Sequence, residues 1–428
     1  MSLPVTVTFM LADWIAKGLA DGSFERVGGV IRDVGTKQVV SWLREQESNN
    51  SQVPTLTDTP NNLFNLFFSS ANLVASGANA AVTGKGLADV NQRLGGIENQ
   101  LGKLGQSVQI TQGILQVTSA VSVLNLGVSV IGFAVIAQRL KELEKRLQEA
   151  QKLLNKINRK IDLSFYANFR AAIELATNAF TMTKTENRRS SALQAINRFL
   201  EAEHIYTEYT DIELEQKSQI ADEYLLTLSL AYLAEARCYL ELEEHDTALR
   251  RFQEGSIIIR SRIQKYVDIL LTSNPAAYLD PELKGQIDLR RLTRIYQWID
   301  PALDENAVFE LQRKNLFKIA KDPQKWLDSI PAAILTQVEV EGGWFGPSQD
   351  DLKQEAYKRL PQVFEVMESM IETNLRFEAY QTEVQAISQL GISFHDWLKL
   401  TPSTEIKPDG AELMYIIPSK PLELQPSM

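Results

Sequence analysis

This sequence is poor in the residues that most often build catalytic and metal sites. Its 428 residues include one cysteine, Cys238, and three histidines, His204, His245 and His395. A lone cysteine excludes a disulfide within the chain and fits a reducing compartment. The chain also lacks a His-Glu-x-x-His helix and a Gly-x-Ser-x-Gly elbow, and Cys238 has no activating neighbour in sequence. We therefore predict a protein that is not an enzyme, with no catalytic residue and no cofactor.

A metal site is also not expected. Glu201 and His204 have the Glu-x-x-His spacing that places two ligands of a carboxylate-bridged di-iron site on one helix face. Such a site needs a second copy of the motif, and His245 is preceded by Glu241 at four residues rather than three. We predict instead that His204 belongs to a half-buried helical stripe.

An excess of basic residues is missing as well. The formal net charge is −10, which argues against general nucleic-acid binding, because phosphate affinity comes from clustered Lys and Arg. Hydrophobic residues make up 44% and charged residues 23% of the chain, which is typical of a folded protein. Residues 1–12 lack the basic start and cleavage site of a signal peptide. The sequence thus favours a soluble cytoplasmic form, and membrane association or a non-Sec export route stays open.

One long stretch lacks charge altogether. Residues 104–138 contain no Asp, Glu, Lys or Arg, and 13 of the 25 residues in 113–137 are Ile, Leu, Val or Phe. As a helix this segment would measure about 37 Å, enough to cross a bilayer core of about 30 Å. The sequence leaves two interpretations of 113–137, a membrane segment or a buried core helix.

Heptad patterns flank this apolar segment. The first runs from Leu87 to Leu115 and the second from Leu140 to Ile161, in different registers. They predict either an antiparallel hairpin with its tip near 125–127 or one very long helix. Residues 138–162 also carry eight Lys and Arg against four acids. Such a basic helix suits an anionic membrane surface, and it equally suits a solvated coiled-coil face.

The rest of the chain predicts an all-α fold. We expect helices at 5–20 and 24–44 within an N-terminal region 1–47, a polar linker at 48–60, and the apolar coiled-coil region at 61–162. A body of helical hairpins follows at 163–400. The tail, 401–428, is expected to be short and extended, with a turn at Asp409-Gly410, and we expect any strand to lie there.

Part of the body resembles a tetratricopeptide repeat. The segment YLAEARCYLELEEHDTALRRFQEG, residues 232–255, has small residues at Ala236 and Ala248 and aromatic ones at Tyr239 and Phe252. Glu235 departs from the pattern, and no second copy follows at 34 residues, so a repeat array is not predicted. The resemblance implies one pair of helices packed side by side.

The arrangement over 87–162 resembles helical pore-forming toxins of the cytolysin A type. That resemblance implies a membrane-engaging protein that shelters an apolar hairpin until it meets an anionic bilayer, with self-assembly as a further expectation. The residues expected to contact the membrane are Leu124, Leu126, Val128, Val130, Ile131, Phe133, Arg139, Lys141, Lys145 and Arg146. The alternative is a soluble helical scaffold that binds a protein partner, with 113–137 as its core helix. A single-span membrane protein is a third, weaker interpretation.

Overall fold

The structure is a computed structural model that describes residues 5–45, 109–111, 114–119, 131–154, 164–218, 220–271, 275–283, 285–321, 324–331, 334–335, 347–400 and 413–416. The chain divides into two compact units. We name them the helical body (Met1–Val5 with Ser119–Leu398) and the β unit (Thr6–Thr118 with Lys399–Met428).

Helices hold most of the described residues, which confirms the all-α class. The helices are α1 (Asp13–Asp21), α2 (Ile131–Leu154), α3 (Ser164–Thr181), α4 (Thr185–Glu215), α5 (Ala221–Glu241), α6 (His245–Leu271), α7 (Leu289–Ile299), α8 (Glu305–Lys321), α9 (Gln324–Asp328), α10 (Gln349–Leu390) and α11 (Phe394–Lys399). The strands are β1 (Val5–Met10), β2 (Phe24–Val27), β3 (Val30–Asp33), β4 (Val39–Glu45), β5 (Gln109–Thr111), β6 (Ile114–Ser119) and β7 (Leu413–Ile416).

The predicted N-terminal helix at 24–44 is wrong, because this segment forms strands. Antiparallel β2 and β3 pair Val27 with Val30, so that Gly28-Gly29 is a two-residue hairpin loop. Gly28 has φ +54°, a conformation that glycine adopts without steric cost. The sheet continues through β4 to β7, in the order β2-β3-β4-β7. Strands therefore occur well before residue 401, contrary to the sequence-based expectation.

A second small sheet overturns two further helix predictions. Its order is β1-β6-β5, so residues 5–10 of the predicted helix 5–20 are a strand and a helix begins only at Asp13. Strand β6 takes residues 114–119 out of the predicted apolar helix at 113–137, and it includes Leu115 of the first heptad. The segment ILQVTS is rich in β-branched residues and alternates Gln116 and Thr118 with Leu115 and Val117, a pattern that favours a strand.

The helical body is built around α5. Every residue of this helix except Tyr239 is buried, because α2, α3, α4 and α6 all pack against it. Helix α6 in turn packs against α10. Two 3₁₀ segments at Pro275–Leu279 and Pro281–Leu283 connect α6 to the C-terminal helices. Most described residues of 163–400 are thus helical, as the sequence predicts, and the compact unit that contains them spans Ser119–Leu398 together with Met1–Val5.

Several predictions fall outside the described residues. These are the linker at 48–60, the first heptad up to residue 108, the turn near 125–127 and the turn at Asp409-Gly410. The tail does contain the extended segment β7, which pairs antiparallel with β4. Helices α5 and α6 form a hairpin around residues 242–244, as the repeat-like segment implies, whereas its tetratricopeptide character stays a prediction.

Candidate binding cleft and basic face

The residues predicted from the sequence to contact a membrane fall into two groups, those that precede helix α2 and those that lie within it. Leu124, Leu126, Val128 and Val130 lie outside the described residues. Ile131 is the first residue of α2, and Arg139 lies within the helix. Phe133 is 1% exposed and stacks on Phe180 of α3 at 5.8 Å between ring centres. The structure therefore places Phe133 in the core of the helical body.

Helix α2 is amphipathic, and its apolar stripe packs on the body. The buried side chains recur at spacings of three and four; they are Phe133, Ile136, Leu140, Leu143 and Leu147. The last three belong to the second heptad predicted from the sequence. The opposite face carries the exposed residues Lys141 and Lys145. Arg146 is half-buried and forms an ion pair with Glu223 of α5 at 3.4 Å. The predicted basic residues therefore have different environments, since two face solvent and one is tied to the core.

Among the described residues, every helix is too short or too polar to cross a bilayer. No group of three or more His, Cys, Asp or Glu in the described ranges is placed to hold a metal ion. His204 is exposed rather than half-buried, because the buried stripe of α4 is offset from the predicted one and includes Ala195, Phe199 and Tyr206.

A cleft of about 340 Å³ lies among the C-terminal helices. Its volume is within the range of roughly 300–1,000 Å³ that small-molecule sites occupy. The walls come from the 3₁₀ segments and from α8, α9 and α10; they are Ala276, Leu279, Asp280, Pro281, Leu316, Ile319, Trp326, Lys353 and Tyr357. Five of these residues are aliphatic or proline, two are aromatic, and Asp280 and Lys353 are charged.

Two aromatic rings form one rigid wall of this cleft. Trp326 and Tyr357 stack with 4.5 Å between ring centres and 27° between planes. The Trp326 indole donates a hydrogen bond from Nε1 to the carbonyl oxygen of Ala277 at 2.9 Å, and its side chain is buried. The Tyr357 hydroxyl donates to Asp280 Oδ1 at 3.2 Å. Each ring is thus held by a hydrogen bond as well as by stacking.

The two charged residues of the cleft, Asp280 and Lys353, differ in their hydrogen bonds and ion pairs. Asp280 Oδ1 also accepts the backbone N–H of Glu282 at 3.0 Å. Burial, with the nearby charge of Asp280, raises the pKa of Tyr357, so the phenol keeps its proton at neutral pH. Lys353 Nζ lies 5.6 Å from the centre of the Tyr357 ring, and it has no ion pair within the described residues. Among the described residues, the cleft therefore combines apolar walls with the carboxylate of Asp280 and with Lys353, a lysine that has no ion pair.

A buried ionic cluster lies elsewhere in the body, where α4, α5 and α6 meet. Arg251 donates to Glu203, to Glu235 at 2.6 Å and to Glu254. Burial, and then repulsion from Glu235, raises the pKa of Glu203 to about 10. The cluster therefore holds a proton at neutral pH, and its position inside the helix packing indicates a structural role.

Sequence reasoning missed the cleft residues. No motif in the sequence attaches chemistry to Trp326, Lys353 or Tyr357. These residues come from segments up to 77 positions apart, such as Asp280 and Tyr357. No spacing rule along the chain marks such a grouping, and the aromatic residues were the available signal.

Comparisons with known proteins add no assignment. No family model, no curated protein and no solved structure matches this chain. The function of the protein is therefore argued from the geometry of its helical body.

Proposed function

We propose that this protein is a helical scaffold that binds a protein partner through the C-terminal helices of its body. The carrying observation is helix α8, where the rings of Phe309 and Phe317 are 41% and 63% exposed and lie about 80° apart around the helix axis. Leu311 is also 54% exposed, on another side of the helix. The same helix buries Val308 and Gln312 and lines the cleft with Leu316 and Ile319.

Such a distribution is unusual for a helix that faces water. A surface helix ordinarily places its apolar residues on one stripe toward the core and polar residues opposite. Single exposed apolar side chains are common, whereas several together mark an interaction surface. A partner that covers α8 would remove this apolar area from water at about 25 cal/mol per Å².

The test is partner capture from the cells that make the protein, followed by binding of the purified components. We expect Phe309→Ser with Phe317→Ser to lose the partner. Ile257→Ser, which removes a 71% exposed side chain on α6, is the matched control and should retain it. A partner that binds both variants equally would overturn the proposal.

A second candidate function is binding to an anionic membrane. Its more specific form is pore formation, as in helical pore-forming toxins of the cytolysin A type. The observation that favours it is the exposure of Lys141 and Lys145 on α2, directly after an uncharged run of 35 residues, 104–138. Basic side chains near an anionic surface contribute about 1 kcal/mol each. Burial of Phe133 argues for the scaffold, because the start of α2 would have to leave the core before that side chain reached lipid.

A further inference from the structure

We infer that the cleft is the anchor pocket of the partner surface and takes an apolar side chain of the partner that has a carboxylate next to it. The inference rests on the proposed function and adds to it the chemistry of the bound segment. Interfaces of this kind depend on a few apolar anchors that fill preformed pockets. The cleft has the walls, the charge and the size for one such anchor.

The walls select an apolar or aromatic group. Leu279, Leu316 and Ile319 supply aliphatic surface, and the stacked pair of Trp326 and Tyr357 supplies aromatic surface. Because both rings are already held by hydrogen bonds, an incoming side chain does not have to order them. Preorganised pockets of this kind lose little affinity to conformational entropy.

The charge selects a carboxylate. Asp280 Oδ1 accepts hydrogen bonds from the Tyr357 hydroxyl and from the N–H of Glu282, whereas Lys353 has no ion pair or hydrogen bond within the described residues. The side chain of Lys353 is exposed, so its ammonium group can reach an anion at the rim without a desolvation cost. An acidic group beside the anchor would pair with it.

The size of the cleft fits one side chain of a peptide, and the apolar surface beyond the cleft favours a peptide over a free small molecule. About 340 Å³ corresponds to about eleven waters at roughly 30 Å³ each, which is room for one large side chain and its neighbouring atoms. The apolar surface of α8 continues beyond the cleft, since Phe309 is seven residues before Leu316 and therefore lies on nearly the same side of the helix. A segment anchored in the cleft can cover this surface as well.

The test uses N-acetyl-phenylalaninate and N-acetyl-phenylalaninamide as probes, which share the anchor and differ only in the carboxylate. Binding to the full chain is measured by saturation-transfer NMR titration. We expect the acid to bind about two- to five-fold more tightly than the amide, the range of a partly exposed ion pair. Lys353→Met should remove this preference, so that the acid binds no more tightly than the amide.

The matched control is Lys358→Met, since Lys358 is exposed on the same helix and lies near Glu355 rather than in the cleft. It should keep the preference for the acid. Leu316→Trp, or Ile319→Trp if the first variant does not fold, should fill the cleft and abolish both probes.

Three outcomes would overturn the inference: equal binding of acid and amide, binding that survives a folded cleft-filling variant, or decanoate binding tenfold more tightly than the peptide mimic. The last would assign the cleft to a small amphiphile. If the inference fails while Phe309→Ser with Phe317→Ser still loses the partner, the proposed function stands without it.

Discussion

Glu203 is an acid that the fold keeps protonated. Oε1 of Glu203 and Oε1 of Glu235 have no hydrogen-bond partner among the described residues when both groups are ionised. A protonated Glu203 shares a side-chain hydrogen bond with Glu235, which leaves the Glu235 carboxylate to pair with Arg251 at 2.6 Å. The proton thus removes one of the three negative charges around a single guanidinium group.

This arrangement predicts a stability that falls as the pH rises. The pKa of Glu203 is about 10 in the folded chain and about 4.3 in an unfolded one. Between these values the folded state binds more protons, so the free energy of unfolding decreases with pH. Glu203→Gln keeps a neutral hydrogen-bond donor, and we expect its melting temperature to fall less than that of the wild type between pH 5 and pH 9.

The measurement is calorimetry across that pH range. Glu201→Gln, on the same helix in a surface pair with Arg198, is the control and should keep the wild-type slope. A Glu203→Gln variant with the wild-type slope would show that the cluster is not the source of the pH dependence.

Gly255 lies on α6 where side chains of both α5 and α10 pack against it. A Cβ atom there would lie 2.8 Å from Cδ1 of Tyr232 on α5 and 3.2 Å from Cε1 of Phe377 on α10. Gly255→Ala gains up to about 1 kcal/mol of helix propensity but forces buried rings apart, which typically costs about 1–3 kcal/mol. We expect a net decrease in the free energy of unfolding, measured by urea denaturation. Ser261→Ala, exposed on the same helix, should change stability by less than about 0.5 kcal/mol, and an equal response of the two variants would contradict this packing.

At the scale of elements, α2 separates the two candidate functions. Its buried stripe holds it on the body, and Lys141 and Lys145 face solvent. If the protein engages membranes, Lys141→Glu with Lys145→Glu should keep the melting temperature and weaken flotation with anionic vesicles at least several-fold, most strongly at low salt. Release of a trapped dye should fall in parallel.

The control for that experiment reverses the same amount of charge elsewhere. Lys314→Glu with Lys358→Glu changes two exposed lysines of α8 and α10 and should affect vesicle binding less. Unaltered flotation of the stable α2 variant would remove the basic face from any membrane mechanism and leave the scaffold function.

At the scale of the whole molecule, the β unit joins the two ends of the chain. Residues Trp42, Leu43, Arg44 and Glu45 of β4 pair with Ile416, Tyr415, Met414 and Leu413 of β7. The sheet is therefore completed by residues about 370 positions away in sequence. Such a contact closes a long loop, which costs conformational entropy. Pairing with a strand that already belongs to a sheet compensates for this cost.

Deletion of residues 401–428 should affect the two units differently. The helical signal in far-ultraviolet circular dichroism should stay nearly unchanged, because the deleted segment contributes a strand and no helix among its described residues. Amide hydrogen exchange in residues 42–45 should accelerate, because β4 loses its partner on that edge. Unchanged protection there would contradict the pairing, and loss of helix would show that the tail also stabilises the body.

Local pattern was sufficient for much of the helical body. Long runs with apolar residues at three- and four-residue spacing, such as 140–147 and 349–390, predict helices that the structure contains, because that spacing places apolar side chains on one face. In segments 5–10, 24–45 and 114–119, β-branched residues and the Gly28-Gly29 loop favoured strands. The helical interpretation overlooked these signals.

Only the tertiary structure decided which helix is central and where a ligand can bind. The sequence singled out 113–137 as the core or membrane element. In the structure, the helix whose side chains are almost all buried is α5, because four other helices pack against it. The cleft depends on Asp280, Trp326 and Tyr357 meeting across separate elements. Apolar periodicity predicts which side of a helix is buried. It does not predict which helices contact each other, because those contacts are set by the packing of the whole body.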